Sequence, residues 1–278
     1  MKTVIITGAD GGIGQHLTST LAKEGFKIVM ACKDRQKGSR ICDEIMQKTA
    51  CSSIEVIEID LSSLDSINNF VKEVYTKYNQ IDILLNNAGA LPRNLRKTKQ
   101  NVEYTIAVNY LGAYILTEKL FPLMSEGAKI VNTVSLMLRY GKIDADFLSY
   151  NTSHFNRFTV YAHSKLALYY ATLKWAEKFK DKGITVNCVD PGIVNTNIIR
   201  MGNKVIDSLC DWFFRPLIRT PQQGADSILY LAMGNSDVTG NLFKSRKIKR
   251  ISTSINDKSK IESLIKQTEV FISKYIDV

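Results

Sequence analysis

Thr3-Val4-Ile5-Ile6-Thr7-Gly8-Ala9-Asp10-Gly11-Gly12-Ile13-Gly14 decides the fold of this chain. Its first five residues form a short, β-branched, largely apolar run, which reads as a buried strand. After the glycines a helical pattern carries Leu17, Leu21 and Ala22. Strand, glycine turn and helix in this order bring backbone N–H groups and a helix N-terminus against a pyrophosphate. A Cβ in the turn would block both the tight bend and the approach of the phosphates. Glycines bracketed by a strand and a helix at the head of a βαβ unit make dinucleotide binding the expectation. Thr7, Gly8, Asp10, Gly12, Ile13 and Gly14 are its candidate residues.

Similar strand-like runs recur at Lys27, Ile54, Ile81, Lys129 and Ile184, with helical segments between them. That rhythm predicts an α/β fold, a parallel sheet with helices on both faces. With 278 residues, 45% of them hydrophobic, the chain can bury its core as one domain, residues 1–278. Ile261, Leu264, Ile265, Thr268, Phe271, Ile272 and Tyr275 recur at helical spacing, predicting a helix over 256–276 packed on the body. Between 203 and 218 the chain is unusually greasy, with Val205, Leu209, Trp212, Phe213 and Phe214. Core or subunit packing is one reading of it; a cover over a lipophilic substrate is the other.

Tyr161-Ala162-His163-Ser164-Lys165 places a phenol and an ammonium one helical turn apart. A free tyrosine titrates near pH ~10, and bringing it to neutrality requires about 4 kcal/mol of preference for the phenolate. One ammonium ~6 Å away supplies roughly 2.8 kcal/mol at an effective dielectric of ~20. Lysine alone falls short, and the positive charge of an oxidised nicotinamide would close the gap. The type of dinucleotide depends on the end of the second strand, Lys27 to Ala31. An acid there would hold the ribose hydroxyl of NAD, whereas this chain has Cys32 followed by Lys33, with Arg35 and Lys37 nearby. That pattern points to NADP(H); Asp34, one register away, keeps NAD(H) as the alternative.

On these residues the chain resembles the short-chain dehydrogenase/reductase family over nearly its whole length. The family's TGxxxGxG element matches Thr7, Gly8, Gly12 and Gly14, and its Asn-Asn-Ala-Gly element matches Asn86 to Gly89. Asn109, Ser135, Tyr161 and Lys165 match the catalytic asparagine, serine, tyrosine and lysine. Asp60-Leu61 match the adenine contact, and Pro191-Gly192, Val194 and Thr196 match the segment after the sixth strand. Within the family the likeness is to the retinol-dehydrogenase-like branch. It rests on the 26-residue gap from Ser135 to Tyr161, on Thr220 to Ala225, and on Ser236 to Phe243.

The resemblance implies a Rossmann-type, doubly wound sheet and an oxidoreductase using NADP(H) on a lipophilic carbonyl or alcohol, retinoid, steroid or aldehyde-like. Ser135 and Tyr161 would bind the substrate oxygen and Tyr161 would carry the proton. Lys165 would lower the tyrosine pKa and hold the nicotinamide ribose, and Asn109 would support a water relay. Lys33, Asn87, Ala88 and Gly89 join the cofactor contacts, and residues 193–220 would cover the substrate. A homodimer through two long central helices is also implied. The alternative from another class is an NADP(H)-binding sensor or scaffold without chemistry, which the presence of all four catalytic matches disfavours. Gly11 departs from the pattern, standing where many NADP-using relatives carry a basic residue.

The formal charge is +10, part of it in Lys244 to Arg250 and part in Arg93, Arg96, Lys97 and Lys99. Solvated surface accounts for such runs, and attraction to an anionic membrane is the alternative. Nucleic-acid binding is not expected, because no aromatic residues interleave the basic run. No stretch nears the ~20 apolar residues of a membrane span, and the first residues already form a strand. Membrane-anchored relatives carry an apolar helix before that strand, so a cytoplasmic protein is the expectation. Five cysteines without a CxxC pair suggest reduced thiols. His16, His154 and His163 offer no metal-ligand spacing, so no metal is expected.

Overall fold

The computed structural model describes residues 1–150, 154–194, 219–234 and 237–275. Its sheet contains β1 (Thr3–Thr7), β2 (Lys27–Cys32), β3 (Ile54–Glu58), β4 (Ile81–Asn86), β5 (Met124–Thr133) and β6 (Thr185–Val189). Two short strands complete it, β7 (Leu242–Lys244) and β8 (Lys247–Ile248). The spatial order is β3-β2-β1-β4-β5-β6-β7-β8, every neighbouring pair parallel except the last. The single-domain, doubly wound parallel sheet is thus present, amended by a terminal antiparallel hairpin. β7 and β8 escape sequence reading because they have three and two residues and carry lysines where a buried strand would be apolar.

The strands lie between two cores, and their alternation assigns each side chain to one of them. Val4, Ile6, Ile28 and Met30 pack with Leu17, Leu21 and Ile45 beneath α1 (Gly12–Lys23) and α2 (Arg35–Thr49). Ala225 and Ile228 of α7 (Pro221–Met233) close the same side. Ile5, Val29 and Ala31 face the other core with Phe70 of α3 (Leu64–Lys77). That core also takes in α5 (Gly112–Leu120), α6 (Arg157–Lys178) and α8 (Lys258–Tyr275). The predicted C-terminal helix therefore exists, over Lys258–Tyr275, and its apolar stripe meets α6 and the segment leading into α5.

Strand order reverses between β1 and β4, the two strands that start outward in opposite directions. In open α/β sheets the crevice at that point, beyond the carboxyl ends of the strands, is where ligands bind. The Gly8 turn and the Asn87–Gly89 loop flank it. A short α4 (Tyr104–Ile106) continues through a π-helical turn (Ala107–Leu111) into α5. π turns gather at functional sites, and this one carries Asn109. Among the described residues no helix is long and apolar enough to cross a membrane.

Candidate active site

The glycine turn is built for close approach. Gly8 has φ +63°, and a Cβ there would come within 3.0 Å of Ala88 Cα. At Gly14 an added Cβ would meet the Gly8 carbonyl oxygen at 2.2 Å, so only glycine lets α1 begin so tightly against the turn. Gly11 is the N-cap of α1 and no side chain caps the first turn, which leaves its N–H groups for an outside acceptor. An anion is the fitting acceptor at the positive end of a helix. The residues present therefore fit a dinucleotide pyrophosphate.

Thr7 joins the turn to the Asn-Asn-Ala-Gly loop. Its hydroxyl oxygen accepts from the N–H groups of Asn87 and Ala88, each at 3.0 Å. Asn87 Nδ2 donates back to the Thr7 carbonyl oxygen at 3.0 Å. Next in the loop, Gly89 lies where a Cβ would sit 3.7 Å from Lys165 Nζ. The cofactor candidates and the Tyr-Lys helix thus face one crevice.

α6 begins at Asn156, whose carboxamide oxygen accepts from the N–H groups of Phe158 and Thr159. It brings Tyr161 beside Ser135, whose hydroxyl opposes the rise of the phenol's pKa. Lys165 Nζ lies 5.6 Å from the centroid of the Tyr161 ring and donates to the Thr133 carbonyl oxygen at 2.8 Å. Burial depresses this ammonium to a pKa of about 8, so it still holds its proton at neutral pH. For Tyr161 the direction opposes the sequence expectation. Burial and then the Asp190 charge push the phenol up to about 12, with neighbouring Ser135 alone opposing them. Desolvation outweighs the Coulomb attraction that the i, i+4 spacing offers, and the ammonium is also engaged with a carbonyl.

Asn109 is buried, and both ends of its amide are hydrogen-bonded. Oδ1 accepts from the Ala90 N–H at 2.6 Å, and Nδ2 donates to the Ala90 carbonyl oxygen and to Ser164 Oγ, both at 3.0 Å. Ser164 Oγ in turn donates to the Tyr161 carbonyl oxygen at 2.8 Å. Asn109 therefore ties the cofactor loop to the Tyr-Lys helix. Ser164 escaped sequence reading, as a serine inside a helix carries no signal until its partners are known.

At the end of β2, Lys33 pairs with Asp60 at 2.7 Å, and Lys37 pairs with Asp10 at 2.7 Å. Asp34 caps α2, accepting from the Lys37 N–H at 2.9 Å, which turns its carboxylate to the helix. Leu61 is buried with its carbonyl oxygen against Gly112, where a Cβ would approach to 2.3 Å. Beyond β6, Gly192 has φ +80° and lies over Arg219, whose N–H donates to the Ile193 carbonyl oxygen. Ile13 and Val194 meet at α7, where a Cβ on Gly224 would touch both. Thr196 and nearly all of the 193–220 cover lie outside the described residues.

Asp190, missed by the sequence reading, is buried, ion-paired to Lys244 at 3.0 Å, and accepts from the Gly192 N–H at 3.2 Å. Another surprise is a buried amide chain. Asn86 Nδ2 donates to Asn132 Oδ1 at 2.8 Å, and Asn132 Nδ2 donates to Thr172 Oγ1 at 2.9 Å. His163 accepts from the Lys142 N–H, in keeping with a structural part. Cys32, Cys42, Cys51 and Cys188 are free thiols, and the described residues hold no metal-binding cluster.

Residues 2–205 match the short chain dehydrogenase family. The chain is 35% identical to human retinol dehydrogenase 11 over 87% of its own length and 76% of that protein. It is 31% identical to human retinol dehydrogenase 14, over 98% of this chain and 86% of that protein. A solved structure of an uncharacterised Mycobacterium paratuberculosis protein superposes with a TM-score of 0.79 at 23% identity, covering 98% of this chain and 94% of that one. Fold, crevice and sequence agree: the chain belongs to the short-chain dehydrogenase family, oxidoreductases that act on small-molecule alcohols or carbonyls with a nicotinamide cofactor.

Proposed function

We propose that this chain is an NADP(H)-dependent oxidoreductase of lipophilic alcohols and carbonyls, with Tyr161 as its proton carrier. The observation that carries this reading is the placing of Lys165 Nζ 5.6 Å from the Tyr161 ring, with Ser135 beside the phenol, at the Gly8–Gly89 crevice. Ser135 and Tyr161 offer two hydroxyl donors to one substrate oxygen, the arrangement that stabilises a developing alkoxide. Tyr161, raised to about 12, keeps its proton at neutral pH and is ready to act as the acid in carbonyl reduction. Lys165 adds positive charge beneath the phenol, and Asn109 holds loop and helix at fixed separation. When bound, the nicotinamide supplies the hydride and, once oxidised, a positive charge that favours the phenolate.

The cofactor's phosphates would lie on Gly8, Asp10, Gly12, Ile13 and Gly14, and its adenosine by Lys33, Asp60 and Leu61. Asn87, Ala88, Gly89, Pro191, Gly192, Val194 and Thr196 would line the nicotinamide half. Preference for NADP(H) is supported by the cations at the end of β2 and by Asp34, which is committed to capping α2. A lipophilic substrate is supported by the relatives named retinol dehydrogenase and by the greasy stretch at 203–218. Residues 193–220 would then cover the substrate.

The test is a panel of lipophilic aldehydes, ketones and alcohols assayed with both reduced and both oxidised cofactors. Carbonyl-dependent loss of NADPH absorbance is expected, with NADH the poorer donor. The pH profile carries a sign. Reduction uses the protonated phenol and should be flat between about pH 6 and 8, whereas oxidation needs the phenolate and should rise with pH. Failure of every carbonyl to consume either cofactor, with NADPH nevertheless bound, would favour a non-catalytic binder.

A further inference from the structure

Both lysines at the end of β2 are paired. Lys33 is matched by Asp60 and Lys37 by Asp10, the latter through the carbonyl oxygen as well as the carboxylate. A ribose 2′-phosphate carries a charge of about −1.5 to −2 at neutral pH, as other phosphomonoesters do. Two paired lysines offer it less than their formal charge suggests, and a further cation beyond neighbouring Arg35 would strengthen its hold. The loop between β4 and α4 supplies one. Tyr104 donates its N–H to the Arg96 carbonyl oxygen at 2.9 Å, folding the loop back on the start of α4. The Arg96 guanidinium carbon then lies 4.5 Å from the Tyr104 ring centroid. Lys33 Nζ lies 5.4 Å from the same centroid and donates to the Tyr104 hydroxyl at 3.2 Å.

One half-buried ring thus gathers two cations from distant parts of the chain. Pairing of Lys97 with Glu103 as an antiparallel bridge fixes the loop that delivers Arg96. No carboxylate among the described residues pairs with Arg96, so its charge is uncompensated, in contrast to Lys33 and Lys37. Its planar fork suits a phosphate, which accepts two parallel N–H bonds from a guanidinium.

We propose that Arg96, stacked on Tyr104 beside Lys33, takes the 2′-phosphate of NADP(H) and sets the preference for it over NAD(H). The Lys33 side chain is 57% exposed, so sharing its ammonium between Asp60 and the phosphate sacrifices only a weak surface pair. This assignment rests on the NADP(H) reading above and adds a residue to it that neither the glycine turn nor the end of β2 contains.

Calorimetric titration of the full chain with NADPH, NADH, 2′,5′-ADP and 5′-AMP tests it without turnover. Arg96→Gln should weaken NADPH and 2′,5′-ADP by about 10- to 100-fold, the worth of a charge-assisted bond, and leave NADH and 5′-AMP within about twofold. Arg96→Lys should recover part of the loss, and Arg96→Glu should deepen it for the two phosphorylated ligands only. Arg96 is exposed, so an unchanged melting temperature is expected for all three variants. Equal effects on NADPH and NADH, or none on either, overturn the assignment while leaving the cofactor reading intact. Parent protein that binds NADH as tightly as NADPH, and 5′-AMP as tightly as 2′,5′-ADP, overturns both.

Discussion

Tyr161→Phe is expected to lower turnover by about a thousandfold while leaving NADPH affinity within about twofold of the parent. The substitution keeps the ring and its packing and removes one oxygen. That oxygen is both a donor to the substrate and the source of the transferred proton, so its loss falls on the transition state. A thousandfold decrease corresponds to about 4 kcal/mol of barrier. Ser135→Ala removes only the second donor and should cost about a hundredfold, with the pH profile shifted because Ser135 holds the phenol pKa down. Rapid-reaction kinetics on a substrate from the carbonyl panel, paired with fluorescence titration of NADPH, separates chemistry from cofactor binding. Tyr161→Phe turnover within about tenfold of the parent would remove this residue from the proton path.

Strands β1, β2 and β4 were legible because a strand buried on both faces must be mostly apolar, and a run such as Ile81 to Leu85 can be little else. Candidate site residues were legible for a related reason. Glycines at 8 and 14 stand where backbone atoms leave no room for a Cβ, and such positions mark themselves in sequence. Pairing was not legible. That Lys33 reaches Asp60, that Arg96 folds onto Tyr104, and that Asn109 bridges Ala90 and Ser164 all follow from segments far apart in the chain. The tyrosine pKa failed in the same way. Spacing gave the distance to Lys165, but the sign is set by desolvation and by Asp190, which arrives from β6. The C-terminal stripe predicted a helix correctly and could not name the surface beneath it.

That surface makes removal of residues 258–278 strongly destabilising. α8 is anchored by Leu264 and Ile265, both buried, and by a 2.6 Å hydrogen bond between the Thr268 and Tyr110 hydroxyls. Just before it, Asn256 Oδ1 and the Ile255 carbonyl oxygen accept from the hydroxyls of Tyr169 and Tyr170, at 2.8 and 2.7 Å. Re-exposing the two aliphatic side chains alone costs about 3–6 kcal/mol. A domain's whole stability is roughly 5–15 kcal/mol, so the truncated chain should be largely unfolded or self-associated near body temperature. Tyr110 lies in the π turn one residue from Asn109, so the damage should spread into the crevice. The same helix bears on assembly. Pairing of α6 between two chains would compete with α8 for the apolar surface of α6 that α8 covers. Denaturant unfolding and sedimentation of the full and shortened chains read both effects, with loss of the cooperative transition and a rise in mass expected on truncation. A shortened chain that stays monomeric and unfolds at the same denaturant concentration would mean that α8 rests on the domain without contributing to its stability.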